Sequence, residues 1–462
     1  MPPKFGTSGL RGLVTELTAD LVSRYVQAFV SACPTGSGVW VARDLRPSSP
    51  EIASAVVRSL QEAGVRSVDA GCVPTPALAL AAMQDGAAAI MVTGSHIPAD
   101  RNGLKFYRPD GEITKGDEQS ILRLLDAGPR QTGPAYAGCS DDYAGKRWVD
   151  RYLAAFGSDA LCGMRLGVWT HSAVSRDLLV DAFTGLGATV LELGRSDQFI
   201  AVDTEAVPDA ARGLLCDWSM QHDLDAIVST DGDGDRPLLT DARGRVVMGD
   251  VLGQITARVL GADTVVTPVN SNTGAEAGGA FGRVIRTRIG SPQVIAAMSE
   301  AGGRVVGYEA NGGFLLGFDA DGPSGPLPAL ATRDSLLPLV SVLSTARKIG
   351  GVAALVAAEP QRFTAMDRIE NVPVERSASV MSAFQGNAET VDAFLSSLGE
   401  RARATDRTDG MRITLASGRI LHFRASGNAP EFRIYAEAET EAEAWDLLSA
   451  AKQAIGRRIS PD

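Results

Sequence analysis

Disulfide chemistry has little to work with in this sequence. Its five cysteines, Cys33, Cys72, Cys139, Cys162 and Cys216, are scattered, odd in number and form no CxxC pair. That pattern argues against a disulfide framework or a thiolate metal site and favours a reducing compartment. Long apolar runs are lacking too. No stretch approaches the roughly 18 residues of a membrane helix, and the opening MPPKFGTSGLRG has no apolar core of the kind a secretory signal needs. A cytoplasmic protein with no membrane partner is expected. Nor is there an excess of positive charge: a formal net charge of −11 disfavours nucleic acid as a partner. A local cationic pocket on an acidic protein can still bind a small anion, so a sugar phosphate stays open.

The chain does have length and apolar content, 462 residues that are 45% hydrophobic, enough for three or four domains of roughly 100 to 150 residues. One pattern recurs. Ser49-Pro50 offers a helix N-cap and N1, EIASAVVRSLQEA follows, Gly64 stops it, and VRSVDA reads as a strand. Ser175, RDLLVDAFTGL, Gly187 and ATVLEL repeat the order, as do Ser291-Pro292, QVIAAMSEA, Gly302-Gly303 and RVVGYE. The closing glycines Gly64, Gly187 and Gly302 lie 123 and 115 residues apart, which predicts three similar tandem α/β domains. The short apolar runs VWVA, AAIMV, LGVW, DAIVS and DTVVTPV suit buried strands of mixed, mainly parallel sheets. After about residue 360, MRITL, RILHFRA and EFRIYAEA read as strands joined by turns, closed by the helix EAEAWDLLSAAKQAIG. A C-terminal α+β domain of a different kind is expected. The resulting division is 1–145, 146–248, 249–358 and 359–462.

Three segments carry chemistry. DGDGDR, Asp231 to Arg236, follows the apolar strand DAIVS and sets three carboxylates at alternate positions, with Gly232 and Gly234 allowing a tight turn. An all-oxygen set suits a hard cation, Mg²⁺ above all, and a strand's carboxyl end is where open α/β sheets place ligands. An EF-hand loop fits poorly, since position six would be Arg236 and position twelve is Ala242. VTGSHIPADRNGLKFY places Ser95 at a second strand exit, in a turn expected to expose its hydroxyl as a nucleophile or phosphoryl carrier; a turn-capping serine is the alternative. Lys105 is a candidate general base there. In FRASGNAPEFRIY, Arg424 and Arg433 bracket a Ser-Gly-Asn turn that can cradle an anion, or form an ordinary hairpin with two exposed arginines. An enzyme that moves phosphate between two oxygens of one sugar must hold the non-reacting phosphate away from the metal, and the chain has segments for both tasks.

These motifs, with FGTSGLRG (5–12), ARDLRPSS (42–49), GCVPTPAL (71–78), TGSHIP (93–98) and GYEANGGF (307–314), resemble those of the α-D-phosphohexomutase family over nearly the whole chain. The resemblance implies four domains around a central cleft, the first three alike. It implies phosphorylation of Ser95, whose phosphate oxygen would join Asp231, Asp233 and Asp235 around Mg²⁺. By the same resemblance, Arg11 and Lys105 lie near the transferring group and His96 assists it as an acid or base, or supports the loop. Arg236, Arg288, Glu309 and Asn311 would orient the sugar, and Arg424, Ser426, Gly427, Asn428 and Arg433 would grip the distal phosphate. The implied reaction interconverts hexose 6- and 1-phosphates through a hexose 1,6-bisphosphate, which also serves as activator. Gly94 and Ile97 stand where the family commonly has alanine and asparagine, and Asn428 and Ala429 where it has threonine and glutamate. Tyr308, Asn311 and Gly313 replace a usual glycine, serine and histidine. The altered sugar loop favours mannose phosphate, with glucose phosphate or dual specificity as alternatives. A metal-dependent sugar phosphatase and a non-catalytic sugar-phosphate sensor are the rival classes. Small-molecule hexose phosphates are the expected partners, for a monomer or weak homo-oligomer.

Overall fold

The computed structural model describes residues 3–6, 9–125, 138–425 and 431–459. The chain divides into two compact units, one of Met1–Val265 with Gly290–Ala358 and one of Val266–Ile289 with Glu359–Asp462.

In the first unit, the strand Ala88–Val92 lies between Val39–Arg43, which it pairs in parallel, and Arg101–Arg108, which runs antiparallel. All five of its residues are buried. Ala88, Ile90 and Val92 pack with Val26, Phe29 and Val56, whereas Ala89 and Met91 pack with Leu78, Ala82 and Tyr107. The period-two alternation thus feeds two cores, because helices Ala19–Ala32 and Ser49–Glu62 cover one face and Thr75–Gln84 the other. Burying a side chain such as Ile90 stabilises this layer by about 2 kcal/mol. Ala226–Thr230 repeats the arrangement, parallel to Arg165–Trp169 and antiparallel to Pro237–Leu239. In the third case Val305–Tyr308 turns back into Phe314–Leu316, which pairs with Leu330–Asp334.

Each of these buried strands ends in a loop that leads into an antiparallel neighbour. Residues 93–100 follow the first, and Thr230↔Pro237 and Tyr308↔Phe314 close the other two loops at 231–236 and 309–313. The motifs TGSHIP, DGDGDR and EANGG therefore occupy equivalent places in a threefold repeat. The helix-glycine-strand pattern needs one correction. Helices Ser49–Glu62 and Arg176–Gly185 lead to Ser67–Asp69 and Thr189–Leu193, but Ser291–Ala301 leads to the loop-bearing strand itself. Its counterparts are Thr75–Gln84 and Asp209–His222. Two such helix-strand steps occur within a repeat, so a local pattern cannot separate them.

The helix-opening serines do not cap their helices. Ser49 donates to Asp44 Oδ1 (2.5 Å), Ser175 exchanges a bond with Thr230 Oγ1 (2.5 Å), and Ser291 donates to Glu112 Oε2 (2.8 Å). Each hydroxyl is spent on a residue beside a loop, where a buried acceptor competes with the helix end.

The second unit has an antiparallel sheet ordered Phe363–Glu370, Glu431–Ala438, Ile420–Ala425, Met411–Leu415 and Ala402–Asp406. Its inward residues Ile413, Leu421, Phe423, Phe432 and Ile434 pack with Leu447, Leu448 and Ile455 of helix Glu441–Ile459. The other face carries Arg368, Arg433 and Arg424 directly opposite one another on three strands.

Candidate active site

Ser95 sits in the left-handed region, at φ +57°, where a non-glycine residue costs on the order of 1 kcal/mol. The turn does not expose its hydroxyl, as the sequence suggested, but buries the residue completely. Its Oγ donates to Asp231 Oδ2 at 2.6 Å and lies 3.3 Å from His96 Nδ1. The two loops touch because Gly232 has no side chain: a Cβ there would stand 2.7 Å from the Ser95 carbonyl oxygen. Gly234, at φ +76°, then lets the hexapeptide fold back, so that Asp231 N–H donates to the Arg236 carbonyl (3.1 Å).

Asp231, Asp233 and Asp235 are fully buried, and one oxygen from each lies within 4.8 Å of the others. Their cationic counterweights come from three strands and a loop. Lys105 Nζ donates to Asp233 Oδ2 (2.5 Å) and Asp235 Oδ2 (2.6 Å), Thr75 Oγ1 to Asp233 Oδ2 (2.6 Å), and Arg333 Nη2 pairs with Asp235 Oδ2 at 2.8 Å. Arg236 Nε stands 3.9 Å from Asp231 and 3.8 Å from Asp235. Arg11 lies on the strand beside Lys105, facing the same way through the Arg11↔Gly103 register. Burial and then the charge of Arg236 depress its pKa to about 10, against the pull of Asp233.

Burial, reinforced by the charges of Asp233 and Asp235, pushes the Asp231 carboxyl well above the usual range. Burial pushes Asp233 the same way, but Lys105 and Thr75 overcome it and hold that carboxyl low. Mutual repulsion among the three carboxylates thus persists at Asp231 despite the nearby cations. Asp233 Oδ1 and Asp235 Oδ1 are buried without a hydrogen-bond partner among the described residues. A hard divalent cation fits this set, since it would satisfy both oxygens and remove the mutual repulsion. Burial, followed by Arg236 and Arg11, drives the His96 pKa well down, so its ring is neutral at pH 7.

The third loop is tied in by Arg333, which is 2% exposed and reaches Glu309 Oε2 at 3.3 Å as well as Asp235. Gly313 leaves room for it, as a Cβ there would be 2.8 Å from Arg333 Cδ. Asn311 braces its own loop: its Oδ1 accepts from Gly313 N–H (3.0 Å) and its carbonyl from Thr204 (2.7 Å). Tyr308 is buried against Gly253.

A family description, phosphoglucomutase/phosphomannomutase alpha/beta/alpha domain I, matches residues 2–131, its domain III matches 247–363, and its C-terminal domain matches 370–452. A phosphomannomutase of Sinorhizobium fredii is 44% identical over 97% of this chain and 98% of its own length. This chain belongs to the α-D-phosphohexomutase family. A phosphomannomutase of Salmonella muenchen is 42% identical over 98% of this chain and 96% of its own. A phosphoglucomutase/phosphomannomutase family protein from Burkholderia thailandensis shares the fold at TM-score 0.77 and 21% identity, covering 98% of this chain and 97% of that one.

Of the residues singled out from the sequence, the first unit brings together Ser95, His96, Lys105, Arg11, Arg236, Glu309 and the three aspartates. Arg288, Arg424 and Arg433 belong to the second unit. Arg288 is exposed, Arg424 Nε donates to Asp409 Oδ1 (3.0 Å), and Arg433 lies 3.4 Å from Glu431. Ser426, Gly427 and Asn428 fall outside the described residues. Thr75, Glu112 and Arg333 were not singled out. Thr75 lies inside the quoted GCVPTPAL motif, whereas nothing local marks Arg333 in the strand LATRD.

Proposed function

We propose that this phosphohexomutase interconverts mannose 6-phosphate and mannose 1-phosphate by carrying a phosphoryl group on Ser95. The observation that carries the reading is the bond from Ser95 Oγ to Asp231, which sets a nucleophile against a buried all-oxygen cation site. The identity to two phosphomannomutases over nearly the full length supports mannose as the sugar. Held by Asp231, Asp233 and Asp235, Mg²⁺ would supply charge neutralisation to the transferring group.

The protein's own groups account for the rest. In the first transfer the P–O bond to Ser95 breaks as a P–O bond to the free sugar hydroxyl forms, giving the hexose 1,6-bisphosphate. The second transfer returns the opposite phosphate to Ser95. Lys105 exchanges the hydroxyl proton, and Arg11, Arg236 and Arg333 spread positive charge around the phosphoryl oxygens, where catalysis of this transfer mostly resides. His96, neutral beside Oγ, supports the serine turn. Glu309 offers a carboxylate to sugar hydroxyls. Arg424 and Arg433, with Ser426, Gly427 and Asn428, bind the distal phosphate, and Arg288 adds charge for the substrate.

The four segments 1–145, 146–248, 249–358 and 359–462 then carry the serine, metal, sugar and phosphate loops. Five free cysteines, and no helix among the described residues long and apolar enough to cross a membrane, support a cytoplasmic location.

Purified protein given mannose 1-phosphate, Mg²⁺ and trace hexose 1,6-bisphosphate should yield mannose 6-phosphate. Free phosphate without that product would replace the reading with a phosphatase. Faster turnover of glucose or glucosamine phosphate under the same conditions would overturn mannose.

A further inference from the structure

The Ser95 turn is organised around a residue that touches no reacting atom. Arg46 is 1% exposed, and each of its five side-chain N–H groups has an acceptor. Nε donates to Asp44 Oδ2 (3.0 Å), Nη1 to the carbonyls of Pro98 (2.6 Å) and Arg101 (2.9 Å), and Nη2 to those of Ser95 (2.8 Å) and Ile97 (2.5 Å). Four carbonyls of one turn thus converge on one guanidinium. Asp44 is fixed in turn by Ser49 Oγ (2.5 Å) and by Thr93 Oγ1 (2.7 Å), and that Thr93 oxygen accepts the Ser95 N–H at 2.7 Å. Gly94 leaves the space the guanidinium fills, as a Cβ there would be 2.6 Å from Arg46 Cζ. The Phe199 ring closes the other side, 4.1 Å from Cζ.

We propose that Arg46 is a positioning residue for phosphoryl transfer, its guanidinium locking residues 95–101 so that Ser95 Oγ stays aimed at the aspartate site despite its left-handed backbone. The idea rests on the mutase reading above. Only a planar fork reaches carbonyls in two directions at once; a lysine ammonium has three N–H groups from one point and cannot hold all four.

The wild-type protein is first shown to turn over mannose 1-phosphate, since inactivity there overturns the mutase reading and not this one. Arg46→Lys and Arg46→Ala are then compared for kcat, KM, melting temperature and the rate at which hexose 1,6-bisphosphate phosphorylates Ser95, read by intact mass. A displacement of the nucleophile by about 1 Å costs on the order of 100-fold. Both variants should therefore lose about 100-fold in kcat and in phosphoryl uptake, with KM changed less than about threefold. Guanidinium ion at tens of millimolar should restore Arg46→Ala by about tenfold, whereas sodium chloride at equal ionic strength should not. Folded Arg46→Lys with wild-type kcat, or variants that lose melting temperature but keep kcat per folded molecule, would overturn the inference. If neither variant folds, Phe199→Leu keeps the guanidinium but removes its stacking partner. A kcat loss of about threefold at unchanged KM supports the role, and unchanged kcat refutes it.

Discussion

The two groups of residues proposed for the two phosphates are built on opposite principles. In the first unit Ser95, Lys105 and the three aspartates are buried and bonded to one another. In the second, Arg424 and Arg433 stand opposite across neighbouring strands with side chains 20% and 34% exposed, and Arg368, at 49%, extends the row. Like charges directly opposite repel, and Glu370, Asp409 and Glu431 offset that repulsion by pairing with Arg368, Arg424 and Arg433. On that proposal the reacting end is the preorganised, buried and dry one, as electrostatic stabilisation of a transition state requires. On the same proposal the holding end is the wet one, its arginines partly open to solvent.

If that contrast is real, truncation at the dry end should damage chemistry and truncation at the wet end should damage affinity. The largest effect is expected for Ser95→Ala. With no hydroxyl to carry phosphate, turnover of mannose 1-phosphate should fall by at least about 10⁴-fold. Intact mass should show no added phosphate, and Mg²⁺ should still bind the aspartates by calorimetry. Residual activity within tenfold of wild type would move the carrier elsewhere.

Next come Arg424→Ala and Arg433→Ala. A charge-assisted hydrogen bond contributes about 1.5 to 3 kcal/mol, so KM should rise roughly 10- to 100-fold while kcat changes less. Equal losses in kcat at constant KM would mean that these arginines act only in the transition state, and the wet-end description would fail.

The same contrast bears on what could be read from the residues alone. DGDGDR and TGSHIP were legible because glycine, acid and serine are adjacent in the chain and their chemistry needs that adjacency. Arg333 and Arg46 were not. Arg333 meets Asp235 from 98 positions away and Glu309 from 24, and its strand reads like any other. Arg46 lay within a quoted motif, but its role depends on carbonyls about fifty residues further on, which carry no side-chain signature. The third helix-glycine-strand unit was placed one step out of register because local periodicity repeats faster than the domain does. Of the helix-opening serines only Ser175 holds the N-cap position, Ser49 and Ser291 lying one residue inside their helices, and the three hydroxyls serve Asp44, Thr230 and Glu112, partners that only the folded chain supplies.

The smallest effect concerns a buried histidine on the arginine face itself, two residues from Arg424 on the same strand. His422, 1% exposed, stacks on Tyr435 with ring centroids 5.1 Å apart, and its Nε2 donates to the Asp409 carbonyl at 2.6 Å. Asp409 in turn holds Arg424. Burial first, with Arg412 and Arg424 adding repulsion that Asp409 partly offsets, depresses the His422 pKa to about 4. Between that value and the unfolded pKa of about 6.5, the unfolded chain binds the extra proton. Stability from the neutral ring is therefore full above about pH 6.5 and is lost as pH falls towards 4. The loss from pH 7.5 to pH 5 should be about 2 kcal/mol. Urea midpoints at those two pH values should converge in His422→Gln by about that amount relative to wild type, with Ser95 phosphorylation at pH 7.5 unchanged. An undiminished pH dependence would show that His422 accepts its proton in the folded state, making its surroundings as wet as those of Arg424.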